Sequence, residues 1–146
     1  MRLVIQRVSQ AKVTVQRKEV GAIGLGLCLV LGVAKGDTEE NSNYLVQKSV
    51  ELRIFEDVEG KFNRTLLDVG GEILVVSQFT LYGDCTKGRR PSFSHAASAE
   101  EAERLYQQFV QKLREKGPRV ASGQFQAKME VSLVNSGPVT FIIDSE

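Results

Sequence analysis

The sequence predicts an α/β protein of the α+β type, with twisted, mainly antiparallel β-structure and two main helices. Three observations predict it. Met1 to Val33 reads as successive strands broken by short polar turns. Two segments, opening near Asp37 and near Ser98, carry helix-start signals followed by apolar residues at helical spacing. From Gln124 onward the chain returns to strand alternation. The 146 residues suit one domain with a sizeable core, and no repeat or linker divides residues 1–146.

In chain order, Leu3, Ile5 and Val8 alternate roughly with polar neighbours, and Lys12 to Gln16 alternates cleanly. Arg17-Lys18-Glu19 is expected to turn, and Val20 to Gly24 to return as a strand. Leu25 to Val33 is apolar throughout, the mark of a strand buried on both faces. Together these pieces read as an antiparallel meander. Asp37 with Glu40 forms a capping pattern, and Leu45, Val46, Val50 and Leu52 carry the first helix to Arg53. Ile54-Phe55 and Lys61 to Leu67 are expected as short strands, and Asp57 to Gly60 and Asp68 to Gly71 as turns. Ile73 to Val76 is a second run expected to be buried on both faces, and Ser77-Gln78-Phe79-Thr80 follows it with no break in β-propensity. Cys85 to Ser94 is a long polar loop with glycine and proline. The second helix is the best-specified element. Ser98 and Glu101 form a capping box, Ala102, Leu105, Tyr106, Phe109 and Leu113 make an apolar stripe, and Gly117-Pro118 stops it. Gln124 to Val134 is expected as a strand, Asn135-Ser136-Gly137 as a turn, and Pro138 to Asp144 as the last strand.

Composition excludes several classes. Hydrophobic residues at 42% and charged residues at 25% describe an ordinary globular protein, not a disordered one. The formal net charge of +1 supplies no global field for nucleic acid, so any such contact must be local. The two cysteines, Cys28 and Cys85, have no metal-ligand or disulfide spacing and fit a reducing cytosol. The N-terminal stretch has no signal-type apolar region, and Leu25 to Val33 is too short to span a bilayer, so a cytoplasmic protein with no membrane contact is expected.

The chemistry concentrates at two places. A hydroxyl, an amide, an aromatic ring and a second hydroxyl stand together at Ser77, Gln78, Phe79 and Thr80, where a buried strand ends. Buried polar groups need partners, so these four mean either a tightly paired turn or a lined pocket. A few residues on, Lys87, Arg89 and Arg90 place three positive charges within four residues. They read either as a solvated cluster or as a phosphate contact. Asn135 to Pro138 reads as a turn before a buried strand, since proline is allowed at a strand's first residue. The lone histidine, His95, lacks a nucleophile and an orienting acid in the sequence around it and reads as a surface residue. One histidine and two distant cysteines make poor metal-ligand material, and neither metal nor cofactor is expected.

Five stretches, in order, carry a family resemblance: Met1 to Val8, Leu52 to Asp57, Ser77 to Leu81 with Gly83-Asp84, Lys87 to Phe93, and Asn135 to Thr140. They resemble the D-aminoacyl-tRNA deacylases along the whole chain, with Gly83 and Ser136 departing from the usual residues. The resemblance implies twisted, mainly antiparallel β-sheets in a barrel-like β/β/α layered domain, and a homodimeric enzyme that hydrolyses the ester between a D-amino acid and the 3′ end of tRNA. It implies a cis Gly137-Pro138 peptide that enters the partner subunit's active site and rejects L side chains, so the site lies at the subunit interface. Glycyl-tRNA, mischarged on the alanine tRNA, would then also be a substrate. By the same mapping Ser77, Gln78, Phe79 and Thr80 form the catalytic stretch, Arg7 braces the Gly-Pro motif with Asn135 as part of it, and Lys87, Arg89 and Arg90 contact tRNA phosphate.

Two mechanisms fit the stretch. A Thr80 nucleophile needs an adjacent base, and the sequence offers none. Water activated by the ribose 2′-OH of the terminal adenosine needs only orientation and backbone oxyanion donors near Phe79 and Thr80, and this picture is favoured. A reading from another class is a non-catalytic, dimeric, β-rich module that binds nucleic acid through the Lys87 to Arg90 loop.

Overall fold

The computed structural model describes residues 1–145. The first two expected strands are one, β1 (Arg2–Val15), which carries the sheet. It turns through Gln16 and Arg17 into β2 (Lys18–Ile23), with Val15 opposite Lys18. Gln16 and Arg17 both have positive φ, 50° and 65°, so the hairpin is a two-residue turn of the primed kind made without glycine. The turn therefore falls one residue earlier than the Arg17 to Glu19 expectation. β3 (Gly26–Gly32) pairs antiparallel with the first half of β1, and β2 with the second half. This is the expected meander.

The next connections change direction. Helix α1 (Glu39–Glu51) and the small hairpin β4 (Phe55–Glu56) and β5 (Phe62–Arg64) separate β3 from β6 (Glu72–Ser77). Helix α2 (Ala99–Glu115) separates β6 from β7 (Val120–Ser122). Both crossovers return the chain in the same direction, so β3–β6 and β6–β7 are parallel pairs within a mainly antiparallel sheet. β8 (Glu130–Asp144) then runs antiparallel along nearly the whole free edge of β1. The sheet order is β2-β1-β3-β6-β7, with β8 on β1, and the sheet curls until its ends approach. A Cβ added to Gly21 on β2 would stand 2.9 Å from the Ser122 carbonyl oxygen on β7. The result is a nearly closed, barrel-like sheet.

Burial on both faces explains the two continuous apolar runs. Inside the curl, Cys28, Leu74 and Val76 pack with Val8, Val13 and Ile23. On the outer face Leu27, Leu29, Leu31, Ile73 and Val75 meet both helices, with Tyr106 and Phe109 of α2 fully buried among them. The Tyr106 hydroxyl donates to the Val75 carbonyl oxygen at 3.2 Å, which satisfies its one buried polar group.

Several local details differ from the sequence expectation. α1 is capped by Thr38, whose N–H donates to Asn41 Oδ1 at 2.8 Å; Asp37 instead accepts from Ala34 N–H at 2.6 Å. Ser98 caps α2 by accepting from Glu101 N–H at 3.3 Å, but the Glu101 carboxylate pairs with Arg104 rather than closing the box. β5 stops at Arg64 because Thr65 and Asp68 exchange side chain–backbone hydrogen bonds of 2.9 and 3.2 Å that bend the chain. The strand expected from Gln124 begins only at Glu130. Before it, Ala127 N–H donates to the Gln124 carbonyl in a turn, and Gln126 has φ 62°. Asn135 to Gly137 is a bulge inside β8, not a turn between two strands.

Candidate active site

β6 delivers Ser77 to the rim of the sheet, and there the strand ends. Gln78 N–H donates to the Leu31 carbonyl at 2.8 Å, the last ladder bond to β3. Phe79 to Tyr82 then coil into a single 3₁₀ turn, closed by Leu81 and Gly83 N–H donating to the Gln78 and Thr80 carbonyls. The strand therefore ends at Ser77, as the polar residues there suggested, and the unbroken β-propensity of Gln78 to Thr80 is overridden by the turn. The tight turn fans the four residues around one opening instead of alternating them across a sheet.

That opening is a cleft of about 610 Å³ lined by Ser77, Gln78, Phe79 and Thr80 together. Its other walls are apolar: Val33 and Val76 below, alanines leading into α2 on one side, and Phe125, Ala127 and Met129 on the other. Gln78 Nε2 donates to Thr80 Oγ1 at 2.9 Å. The N–H groups of Phe79 and Thr80 begin the 3₁₀ turn and have no acceptor among the described residues, as the first donors of a helical turn generally do not. No acid, base or thiol lines the cleft among the described residues. Cys28 is enclosed in the barrel, and burial pushes its thiol up to about 11.

The Phe79 ring meets Phe93 edge-on, with centroids 5.0 Å apart. That contact ties the 3₁₀ turn to the loop after it. Asp84 and Ser92 exchange backbone hydrogen bonds of 2.7 and 2.9 Å, so the intervening residues project as a closed loop. Asp84 Oδ1 accepts from the Thr86 hydroxyl at 2.7 Å and from its N–H at 3.0 Å, which holds the carboxyl below its usual range. Lys87, Arg89 and Arg90 ride on this loop, exposed and without an ion pair among the described residues. His95 is exposed beside it.

Gly137 and Pro138 lie elsewhere and do not line the cleft. Gln6 pairs with Thr140 and Val8 with Asn135, so Arg7 alone stands opposite Ser136 to Val139. The four residues are looped out of the ladder, and the Gly137-Pro138 peptide is cis. Asn135 clips the loop: its Oδ1 accepts from Val139 N–H at 2.7 Å and its Nδ2 donates to Thr140 Oγ1 at 3.0 Å. Gly137 has φ 134°, and an added Cβ would fall 2.7 Å from Val139 Cγ2 and 3.1 Å from Arg7 Nη2. Arg7 is 7% exposed and donates through Nε to the Ser136 carbonyl at 3.0 Å.

The structure thus brings Ser77, Gln78, Phe79 and Thr80 into one cleft, and Arg7, Asn135, Gly137 and Pro138 into a second cluster. The sequence reading missed the wall formed by Phe125, Gln126, Ala127 and Met129. Its only trace was the apolar alternation that suggested a strand. Among the described residues no group of three or more acids, histidines or cysteines is placed to hold a metal, and no helix is long and apolar enough to cross a membrane.

The family model described as D-Tyr-tRNA(Tyr) deacylase matches residues 4–144. The D-aminoacyl-tRNA deacylase of Desulfitobacterium hafniense is 60% identical over 146 residues, covering 100% of this chain and 98% of the relative. The solved structure of a c-Myc DNA unwinding element binding protein superposes with a TM-score of 0.94 at 41% identity, covering 100% of this chain and 99% of that one. A probable eukaryotic D-amino acid tRNA deacylase shares the fold, with a TM-score of 0.82 at 21% identity over 98% of each chain. The chain belongs to the D-Tyr-tRNA(Tyr) deacylase family.

Proposed function

We propose that this protein hydrolyses the ester of D-aminoacyl-tRNA, releasing the D-amino acid and free tRNA. The observation that carries the proposal is the cleft at the end of β6. Phe79 and Thr80, which line it, carry backbone N–H groups without an acceptor, and it sets a polar rim on apolar walls with no ionisable side chain among the described residues. Such a site can orient an ester and stabilise an oxyanion, but it cannot supply a base.

The chemistry then falls to the substrate. Water adds to the ester carbonyl carbon, with the terminal ribose 2′-OH relaying its proton. The carbonyl oxygen takes up negative charge facing the N–H groups of Phe79 and Thr80. Collapse breaks the bond to the 3′ oxygen, which leaves with the proton as the free ribose hydroxyl. Ser77 and Gln78 orient the aminoacyl-adenosine, and Phe79 shapes the pocket. Thr80 Oγ1 already accepts from Gln78, which suits a residue that holds a side chain in place.

Selectivity comes from a second copy of the chain. Gly137-Pro138 of one protomer enters the cleft of its partner and excludes L side chains. Glycine has no side chain to exclude, so glycyl-tRNA mischarged on the alanine tRNA is also accepted. Support for the dimer is the outer strand β8, which exposes Val131, Val134, Phe141 and Ile142, the last at 67%. Lys87, Arg89 and Arg90 meet tRNA phosphates. Residues 1–146 act as one domain in the cytoplasm, without cofactor.

A second reading is nucleic-acid binding without catalysis. It gains support from the 41% identical structure, which is that of a DNA unwinding element binding protein. One assay separates the two. Purified protein is incubated with D-Tyr-tRNA and L-Tyr-tRNA, and release of tyrosine is followed. Selective release from the D substrate is expected; absence of chirally selective release sinks the deacylase reading.

A further inference from the structure

Arg7 is held by more than the bulge it braces. Its guanidinium has three acceptors in three directions. Nε donates to the Ser136 carbonyl at 3.0 Å, Nη1 to the Ile54 carbonyl at 3.0 Å, and Nη2 to Glu56 Oε1 at 3.2 Å. The Phe62 ring covers the guanidinium, 5.6 Å from Cζ to centroid. Ile54 immediately precedes β4, Glu56 ends it and Phe62 opens β5, so among the described residues the small hairpin and the residue leading into it supply the guanidinium's hydrogen bonds and ring contact other than the one to the bulge. Glu56 and Phe62 are register partners across that hairpin. Directly opposed residues project to the same face, which is why carboxylate and ring arrive together.

The hairpin also touches the far side of the bulge. Phe62 stands edge-on to Phe141, with centroids 6.4 Å apart. Phe141 pairs with Ile5 on β1, one residue after the ladder resumes at Thr140. One ring therefore contacts both the arginine that holds the start of the bulge and the strand that leaves it. The turn that presents the ring is itself fixed. Asp57 Oδ1 accepts from Glu59 N–H at 2.8 Å and Lys61 N–H at 3.0 Å, and its Oδ2 accepts from Asn63 Nδ2 at 3.3 Å.

We infer that the β4–β5 hairpin is a clamp that positions Gly137-Pro138 through Arg7, and that Glu56 and Phe62 are positioning residues for stereoselectivity. This rests on the proposed role of Gly137-Pro138 as the chiral filter. The physics is that of a planar fork. A guanidinium aims its Nε–H only when its other donors and its face are also occupied. Glu56 also balances a charge that is otherwise buried, with Arg7 side-chain exposure at 9%. Without the carboxylate or the ring, the fork can rotate, and the Ser136 carbonyl loses its fixed anchor. The loop is then free to shift toward Arg7, whose Nη2 lies 3.1 Å from where a Gly137 Cβ would stand. A displaced filter admits L side chains, while the cleft residues that orient the ester are untouched.

The test uses the full chain with Glu56→Gln, Phe62→Leu and Phe62→Tyr. The first removes charge at constant shape, the second removes the ring face at similar volume, and the third restores it. Release from D-Tyr-tRNA and L-Tyr-tRNA is measured for each, with hydrogen exchange followed by mass spectrometry over residues 131–145. For Glu56→Gln and Phe62→Leu the expected result is a roughly tenfold rise in L release, the scale of one lost charge-assisted hydrogen bond, with D release within about threefold of the unmodified protein. Exchange across the bulge should quicken in the same two variants. Phe62→Tyr should behave as the unmodified protein. Discrimination unchanged in both Glu56→Gln and Phe62→Leu overturns the inference, even if exchange quickens. The unmodified protein, run alongside, separates the two claims. If it does not discriminate, the functional reading has failed and takes the inference with it. If it discriminates and both variants discriminate equally, the inference alone has failed.

Discussion

Thr80→Ala is the substitution that best divides the two mechanisms. The side chain removed is exposed and makes one hydrogen bond, accepting from Gln78 Nε2 at 2.9 Å. A neutral hydrogen bond of this kind contributes about 0.5–1.5 kcal/mol net. With about 1.36 kcal/mol per tenfold in rate, its loss slows the reaction roughly tenfold at most, even if all of it is felt in the transition state. Loss of a true nucleophile is of another order, about 10⁶ in kcat for a serine hydrolase. The two expectations are therefore separated by several decades. The assay is single-turnover release of tyrosine from D-Tyr-tRNA with enzyme in excess, so that product release does not mask the chemical step. A loss of more than about 10³ in a variant that still folds would refute tRNA-assisted hydrolysis. The complementary arm is a substrate ending in 2′-deoxyadenosine. It should be nearly inert with the unmodified protein, and normal turnover of it would also refute the 2′-OH relay.

Three further outcomes are expected. Replacing Lys87, Arg89 and Arg90 with Gln should raise KM more than it lowers kcat and flatten the salt dependence of KM, by about 2 in log–log slope if each cation meets one phosphate of the single-stranded 3′ end; an unchanged slope in a salt titration would show the cluster to be merely solvated. Gly137→Ala forces a side chain at φ 134° and sets its Cβ 2.7 Å from Val139 Cγ2. The backbone strain alone is about 1–3 kcal/mol, so thermal unfolding should fall by several degrees, at roughly 2–4 °C per kcal/mol, and D over L preference should drop in the same preparation. Asp57, Asp68 and Asp84 all lie below their ordinary 3.8, the first held down chiefly by Lys61 N–H, the second by Thr65 N–H and the third by the Thr86 hydroxyl. Depressed carboxylates contribute stability that is present above 3.8 and is lost as pH falls through their folded values, so denaturant midpoints should be level from about pH 5 to 7 and decline below about pH 4.

How far the residues alone could be read depends on what each position had to satisfy. Leu27 to Leu31 and Ile73 to Val76 were legible as doubly buried strands because each has the barrel interior on one face and the helices on the other. Which neighbours they pair with was not legible, because a doubly buried run shows that both faces are covered but not the strand order: β3 is antiparallel to β1 and parallel to β6. The α2 stripe was plain, since Leu105, Phe109 and Leu113 answer to a single face. Short strands failed where side chains took over the backbone's hydrogen bonds, as Thr65 and Asp68 do after β5. The far cleft wall failed for another reason. Phe125, Ala127 and Met129 alternate like a strand, but Gln126 is in the left-handed region, where a non-glycine residue carries no sequence mark.

The same contrast applies to the site. Ser77, Gln78, Phe79 and Thr80 announced themselves because polar groups at the end of a buried run require partners. What could not be read was how they are arranged. A continued strand would have sent Ser77 and Phe79 to one face and Gln78 and Thr80 to the other. The 3₁₀ turn at Phe79 gathers all four onto one opening and frees two backbone donors beside them. In the second cluster, Asn135, Arg7 and a looped-out ladder place Gly137-Pro138 outside the cleft of their own chain. A cleft that no ionisable group lines among the described residues, and a Gly137-Pro138 cluster outside that cleft, are on the proposed function each incomplete alone. Under the proposed reading, the substrate's own hydroxyl supplies the missing chemistry and a second copy of the chain supplies the missing wall. The two halves would then fail separately: Thr80→Ala should alter rate and leave chirality intact, while Gly137→Ala should alter chirality and leave the rate on the D substrate nearly intact.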